Sequence, residues 1–158
     1  MSKTTEVEIA VIGAGPGGYA AAFRAADLGK KVILIDRDPT LGGVCLNRGC
    51  IPSKALLHIA KVMDETNNLS KMGVSYNKPD IDLEKIRLHK NKIVSQLNQG
   101  IDKMAKARGV KTIQGLASFK NNNELEVKTK SSNSTIKYEK CIIATGSTSG
   151  MIPGISIN

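Results

Sequence analysis

The hydrophobic pattern changes period along the chain, and the changes mark the elements. Residues 6–12 (EVEIAVI) alternate and then turn fully apolar, which predicts a strand buried in a sheet. A glycine-rich turn follows at 13–18. Residues 16–28 (PGGYAAAFRAADL) predict a helix, with Pro16 suited to its first turn and Gly29 just past its end. Residues 31–35 (KVILI) predict a second strand. Strand, turn, helix and strand in about 30 residues are the size of one βαβ unit.

Further on the pattern is more mixed. Residues 39–51 are rich in glycine and predict a loop. A helix is expected from about Pro52 to Glu65, then a polar connector from Asn67 to Pro79. Residues 81–107 carry Leu83, Ile86, Ile93, Val94, Leu97, Ile101 and Met104, the spacing of a long amphipathic helix, with Asp80 as its candidate cap. From 110 the period falls to two. VKTIQ, LASF, ELEVKT and TIKYE predict short strands, with turns at Asn121–Asn123 and Ser131–Asn133. KCIIAT (140–145) predicts a further, buried strand ending at Gly146, and Met151–Asn158 carries no structural signal. The class is α/β, with a parallel βαβ start and an antiparallel meander later.

Composition narrows the function classes. The 158 residues suffice for one domain with its own core. Aromatics make up only 3% and Trp is absent, so the core must rest on Ala, Val, Ile and Leu. The net charge of +9 allows a phosphate or nucleic-acid partner. The lysines are scattered, however, with few aromatics among them to stack on bases, so no nucleic-acid partner is expected. No apolar run reaches the roughly 18 residues of a membrane span. The first ten residues hold no apolar signal core, so a cytoplasmic location is expected. Three cysteines in such a compartment point to redox chemistry, metal binding or plain packing.

Two motifs carry candidate chemistry. Gly13-Ala14-Gly15-Pro16-Gly17-Gly18 fits G-x-G-x-x-G between a strand and a helix. In such a turn the first glycine allows the tight bend. The second admits a pyrophosphate and the third lets helix and strand pack closely. Asp36 follows 18 residues after Gly18, at the end of the second strand, placed to accept a ribose hydroxyl. The other motif is Cys45 and Cys50 in GGVCLNRGCIPSK. On an ideal helix the two would lie roughly 140° apart, so bridging them requires a bent backbone. Gly42, Gly43 and Gly49 relax the chain, and Pro52 disfavours a helical Ile51. So short a disulfide loop gains little stability, which favours a redox role. Arg48, Lys54 and a helix start near the pair should favour thiolate. A zinc site is the rival, with His58 as the nearest further ligand. Cys141, in an apolar strand, is expected to be buried packing.

Together these residues resemble the flavin-dependent pyridine nucleotide–disulfide oxidoreductases. Within that family, Cys45-Leu46-Asn47 and Cys50-Ile51-Pro52-Ser53-Lys54-Ala55-Leu56-Leu57-His58 are most similar to the dihydrolipoamide dehydrogenases. Mercuric and glutathione reductases are the alternatives, as is an FAD-binding module without turnover. The resemblance implies a Rossmann-like FAD-binding domain over residues 1–150, with a parallel sheet, a long amphipathic helix and a small antiparallel β-meander. It implies FAD held by Gly13, Gly15, Pro16, Gly18, Asp36, Arg37, Gly42, Gly43, Val44, Cys45, Lys54, Ala117, Thr145, Gly146 and Ser147. It implies a redox disulfide between Cys45 and Cys50, with Cys50 toward the flavin and Cys45 exchanging with a dihydrolipoyl group of a 2-oxo acid dehydrogenase complex. NAD and homodimer contacts would come through domains that begin where the 151–158 tail stands. The chain is expected to be an N-terminal portion, incomplete relative to the family and without full activity alone. Asp36 stands where these enzymes often have Glu, Ala117 where Gly is common, and Arg48 adds a charge in the cysteine segment.

Overall fold

The computed structural model describes residues 3–148 together with Gly150 and Gly154. The rest of the 151–158 tail lies outside the described residues. The chain runs β1 (Lys3–Ile12), α1 (Pro16–Asp27), β2 (Val32–Asp36), α2 (Gly43–Arg48), α3 (Cys50–Asn68), a 3-10 turn (Leu69–Met72), α4 (Leu83–Ala107), β3 (Lys111–Gln114), β4 (Leu116–Asn121), β5 (Glu124–Lys128) and β6 (Asn133–Ile143). One sheet holds the strands in the order β3-β2-β1-β6-β5-β4. β3, β2, β1 and β6 are parallel, while β5 and β4 continue antiparallel from β6. This is the Rossmann-like α/β fold that the motifs imply.

The fully apolar β2 has a direct cause. Its Val32 and Leu34 pack toward α1 and α4 with Val11, Ala22, Phe23, Ile101 and Ala105. Its Ile33 and Ile35 pack on the other face with Ala10, Leu125, Val127 and Ile136. A strand covered on both faces loses the polar alternation of a half-exposed one. The second cluster runs along this face from β2 through β1 and β6 to β5. The C-terminus of α4 is tied to α1: Arg108 donates to Asp27 at 3.0 Å and lies 5.2 Å from the centre of the Phe23 ring.

Several expected boundaries move. Residues 39–51 are not simply loop, because α2 occupies Gly43–Arg48 and α3 begins at Cys50. The bend falls on Gly49 alone (φ −123°, ψ −106°). Ile51 is helical despite the proline after it. Pro52 sits in the first turn of α3, where a missing N–H forfeits no intrahelical hydrogen bond. The cap of α4 is Asp82 rather than Asp80, because its carboxylate reaches the Lys85 N–H at 3.0 Å. The buried stripe of α4 is Asn98, Ile101 and Ala105, while Leu97 and Met104 are each 42% exposed. TIKYE and the first four residues of KCIIAT form one strand, β6, because β1 pairs along it from Ser134 to Ile143. Pairing with β5 stops at Lys137, so Cys141 beyond it is only partly buried.

β2 is the element on which both cores converge. Leu34, 1% exposed, contributes to the helix-side cluster. Leu34→Ala should lower unfolding free energy by about 2–5 kcal/mol, read from urea midpoints. A loss under about 1 kcal/mol would show that the site collapses around the cavity or that β2 is peripheral.

Candidate nucleotide cleft and thiol pair

The glycine turn is a place where three backbone segments meet. Gly13 has φ +97°, and a Cβ there would stand 2.2 Å from the Ala144 carbonyl oxygen. No other residue fits both the conformation and the space. A Cβ at Gly18 would stand 1.7 Å from the Gly13 oxygen, so α1 packs directly on the turn. Gly43, at φ +60°, would bring a Cβ to 2.6 Å from the Gly15 Cα. The Gly42 N–H donates to the Ala14 carbonyl at 2.8 Å and locks the second loop onto the first. Gly15 itself looks outward: the nearest atom to a Cβ there is 4.0 Å away. Behind it α1 begins with Pro16, no capping side chain and no acid in its first turn. Its N-terminal partial positive charge is left for an anion.

Asp36 braces this turn from β2. Its Oδ2 accepts from the Ala14 N–H at 2.5 Å and its Oδ1 from the Asp38 N–H at 2.8 Å. A carboxylate offers about four lone-pair sites, so each oxygen keeps capacity for a further donor. The Asp is thus part of the turn's scaffold as well as a candidate ribose acceptor.

Two cavities open at the C-terminal ends of β1, β2 and β6, and they share Asp36, Arg37, Thr145, Gly146 and Ser147. The first, about 370 Å³, adds Gly13, Ala117, Gly115 and Leu116. The second, about 480 Å³, adds Gly15, Pro16, Gly43, Val44 and Cys45. Together they make one cleft at the topological switch of the sheet, the usual ligand position in such folds. Gly18 and Gly42 stand behind the wall and support it. Lys54 and Cys50 are exposed and lie off the lining. Arg48 pairs with Asp38 at 2.6 Å, and both line the second cavity.

Cys45 is the third residue of α2 and Cys50 the first of α3. Both carry free thiols. The neighbouring Cys50 is the main influence on Cys45 and holds its thiol pKa above the ordinary value. Desolvation adds to this, and the Lys54 charge opposes it more weakly. The expected thiolate-favouring setting is therefore reversed at Cys45. Arg48, one reason for that expectation, is committed to Asp38. Among the described residues no group of three or more His, Cys, Asp or Glu side chains could hold a metal ion.

Asn47 and Asn98 are the residues whose role sequence reasoning missed. Asn98 Nδ2 donates to Asn47 Oδ1 at 2.9 Å. Asn47 Nδ2 in turn donates to the carbonyls of Gly43 at 2.9 Å and Leu41 at 3.2 Å. The legible signal was an amide between Val94 and Ile101 on an otherwise apolar stripe.

Removing Cys50 removes the main cause of the Cys45 shift. The pH midpoint for alkylation of Cys45 should fall in Cys50→Ser and rise in Lys54→Ala, followed by peptide mass spectrometry. Midpoints unchanged in both variants would contradict the neighbour effect.

Comparison with known proteins places this geometry. The family model described as pyridine nucleotide-disulphide oxidoreductase matches residues 7–157. The dihydrolipoyl dehydrogenase of Buchnera aphidicola subsp. Acyrthosiphon pisum is 51% identical over 155 residues, 98% of this chain and 33% of the relative. That of Haemophilus influenzae is 46% identical over 156 residues, again 98% of this chain and 33% of the relative. The chain thus spans about a third of the length of these relatives. Among solved structures, the Cu(II) complex of the HOCl-induced flavoprotein disulfide reductase RclA from Escherichia coli superposes with a TM-score of 0.78 at 29% identity, over 94% of this chain and 30% of that one. With the family model covering nearly all of its length, this chain belongs to the pyridine nucleotide-disulphide oxidoreductase family.

Proposed function

We propose that this chain is the FAD-binding, thiol-carrying N-terminal part of a dihydrolipoyl dehydrogenase. One observation carries the reading. A single cleft brings the open face of Gly15, the Asp36 carboxylate and the Cys45 side of α2 together. The relatives near half identity bear the dihydrolipoyl dehydrogenase name, while the RclA neighbour is 29% identical. That contrast favours this member over other flavoprotein disulfide reductases.

The residues fit FAD. Gly15 leaves room at the backbone, and the uncapped start of α1 favours a diphosphate. Asp36 keeps lone pairs for a ribose hydroxyl. The backbone at Ala117 borders the adenine end of the cleft, with Arg37, Thr145, Gly146 and Ser147 between the two cavities. Gly43, Val44 and Cys45 border the other end, and Lys54 belongs near the ring in this reading. FAD, when bound, supplies a two-electron acceptor.

The protein's own chemistry is thiol exchange. A dihydrolipoyl dithiol attacks a Cys45–Cys50 disulfide, and one thiolate of the pair leaves. The second substrate thiol then closes the lipoyl disulfide, leaving Cys45 and Cys50 reduced. Cys45, on the cleft wall and partly exposed, and Cys50, exposed at the head of α3, are both reachable for such exchange. NAD, a homodimer and a 2-oxo acid dehydrogenase complex enter only through the longer protein of the relatives' kind. The reading places the protein in the cytoplasm, where thiol pools keep cysteines reduced. The described helices include none long and apolar enough to cross a membrane.

Purified protein mixed with FAD should retain flavin absorbance through gel filtration. Anaerobic dihydrolipoamide should bleach that absorbance. Cys45→Ser and Cys50→Ser should each keep the flavin and lose the bleaching. Failure to retain FAD, or full bleaching in both variants, would overturn the reading.

A further inference from the structure

α2 is six residues long and has no side-chain cap. A helix of that length does not hold its own shape in water. Its place depends on what surrounding elements grip. Leu46 is its buried anchor, and Arg48 pairs with Asp38 at the surface. Asn47 is held by Thr40 and Leu41 of the preceding loop and, from outside that loop, by Asn98 on the 25-residue α4.

Asn98 is an unusual choice for its position. It is 9% exposed, on the buried stripe with Ile101 and Ala105. Its Oδ1 is buried and has no hydrogen-bond partner. Such an orphan is destabilising, and a leucine of similar shape would avoid it. Apart from the local Val94 carbonyl at 3.0 Å, the donor of Asn98 has one partner, Asn47 Oδ1. The orientation of both amides is fixed by chemistry. Asn47 Nδ2 faces the Leu41 and Gly43 carbonyls, so its Oδ1 must be the acceptor toward Asn98. Thr40 Oγ1 donates to that same oxygen at 3.2 Å. The chain of contacts runs from α4 through Asn47 to the Gly43 carbonyl, and Gly43 abuts Gly15.

We propose that Asn98 is a positioning residue that acts through Asn47 to hold α2, and with it the Cys45 sulfur, in register with Cys50 at the head of α3. This rests on the reading of Cys45 and Cys50 as a redox pair. Gly49 is the lone link between α2 and α3, so the pairing geometry is set by how firmly α2 is held. The amide accepts an unsatisfied oxygen in the core for the sake of that one donor.

The test is the equilibrium of the pair with glutathione. Protein dithiol and one glutathione disulfide give the Cys45–Cys50 disulfide and two glutathione thiols. Its constant measures how well the two sulfurs are held together, and peptide mapping confirms which cysteines are joined. Asn98→Leu should lower the constant at least fivefold while the urea midpoint holds or rises. Asn47→Ala should lower it by a similar factor, and the double variant no further than Asn47→Ala alone. If Asn98→Leu does not fold, Asn98→Ala is read by the same equilibrium beside its own midpoint. An unchanged constant overturns the proposal. So does a fall matched by an equal loss of stability, or additive effects in the double variant. If the wild-type protein forms no Cys45–Cys50 disulfide at all, the redox reading itself fails and the proposal with it.

Discussion

Backbone pressed against backbone at the glycine turn is the constraint from which the site follows. Gly13 lies under the Ala144 carbonyl, Gly18 lies on Gly13, and Gly43 lies on Gly15. Each contact is too close for a β-carbon. Together they bring the ends of β1 and β6, the start of α1 and the start of α2 to one point. The cleft is what remains open around that point, and Gly15 is the part of the turn that faces it. The hydrophobic cores on either side of β2 keep the sheet rigid beneath it. Asp36 then ties the rim to the turn through the Ala14 N–H.

The thiols inherit their position from the same packing. α2 starts at Gly43, pinned to Gly15, so Cys45 is carried to the cleft wall. Gly49 breaks the helix and lets α3 restart with Cys50 beside it. At Cys45 the neighbouring Cys50 outweighs the charge of Lys54. Arg48, a second nearby cation, is held by Asp38.

The fold was legible where local signals and tertiary demands agree. The βαβ start was readable because strand period, turn glycines and helix composition all point the same way. The cleft residues were readable because glycines with steric duties occur at fixed spacing. Boundaries failed where tertiary contacts decided them. A glycine-rich stretch reads as loop, yet α2 forms there because Leu46 is buried and Asn47 is gripped from α4. Asp80 and Asp82 look alike as caps, and only the path of the chain chooses between them. Cys141 looked buried because the strand is apolar, but burial depends on where β5 stops. The Asn98–Asn47 contact joins residues far apart in sequence and has no periodic signature.

In the proposed function, the open face of Gly15 receives the diphosphate of a dinucleotide. Gly15 has an ordinary φ of −68°, and a β-carbon there meets nothing closer than 4.0 Å, so alanine is accommodated without strain. The decisive measurement is calorimetric titration of FAD into the protein and into Gly15→Ala, with urea midpoints recorded for both. Equal midpoints are expected, with an affinity at least about tenfold weaker in the variant, or about 1.4 kcal/mol. Equal FAD affinity in the two proteins would contradict it.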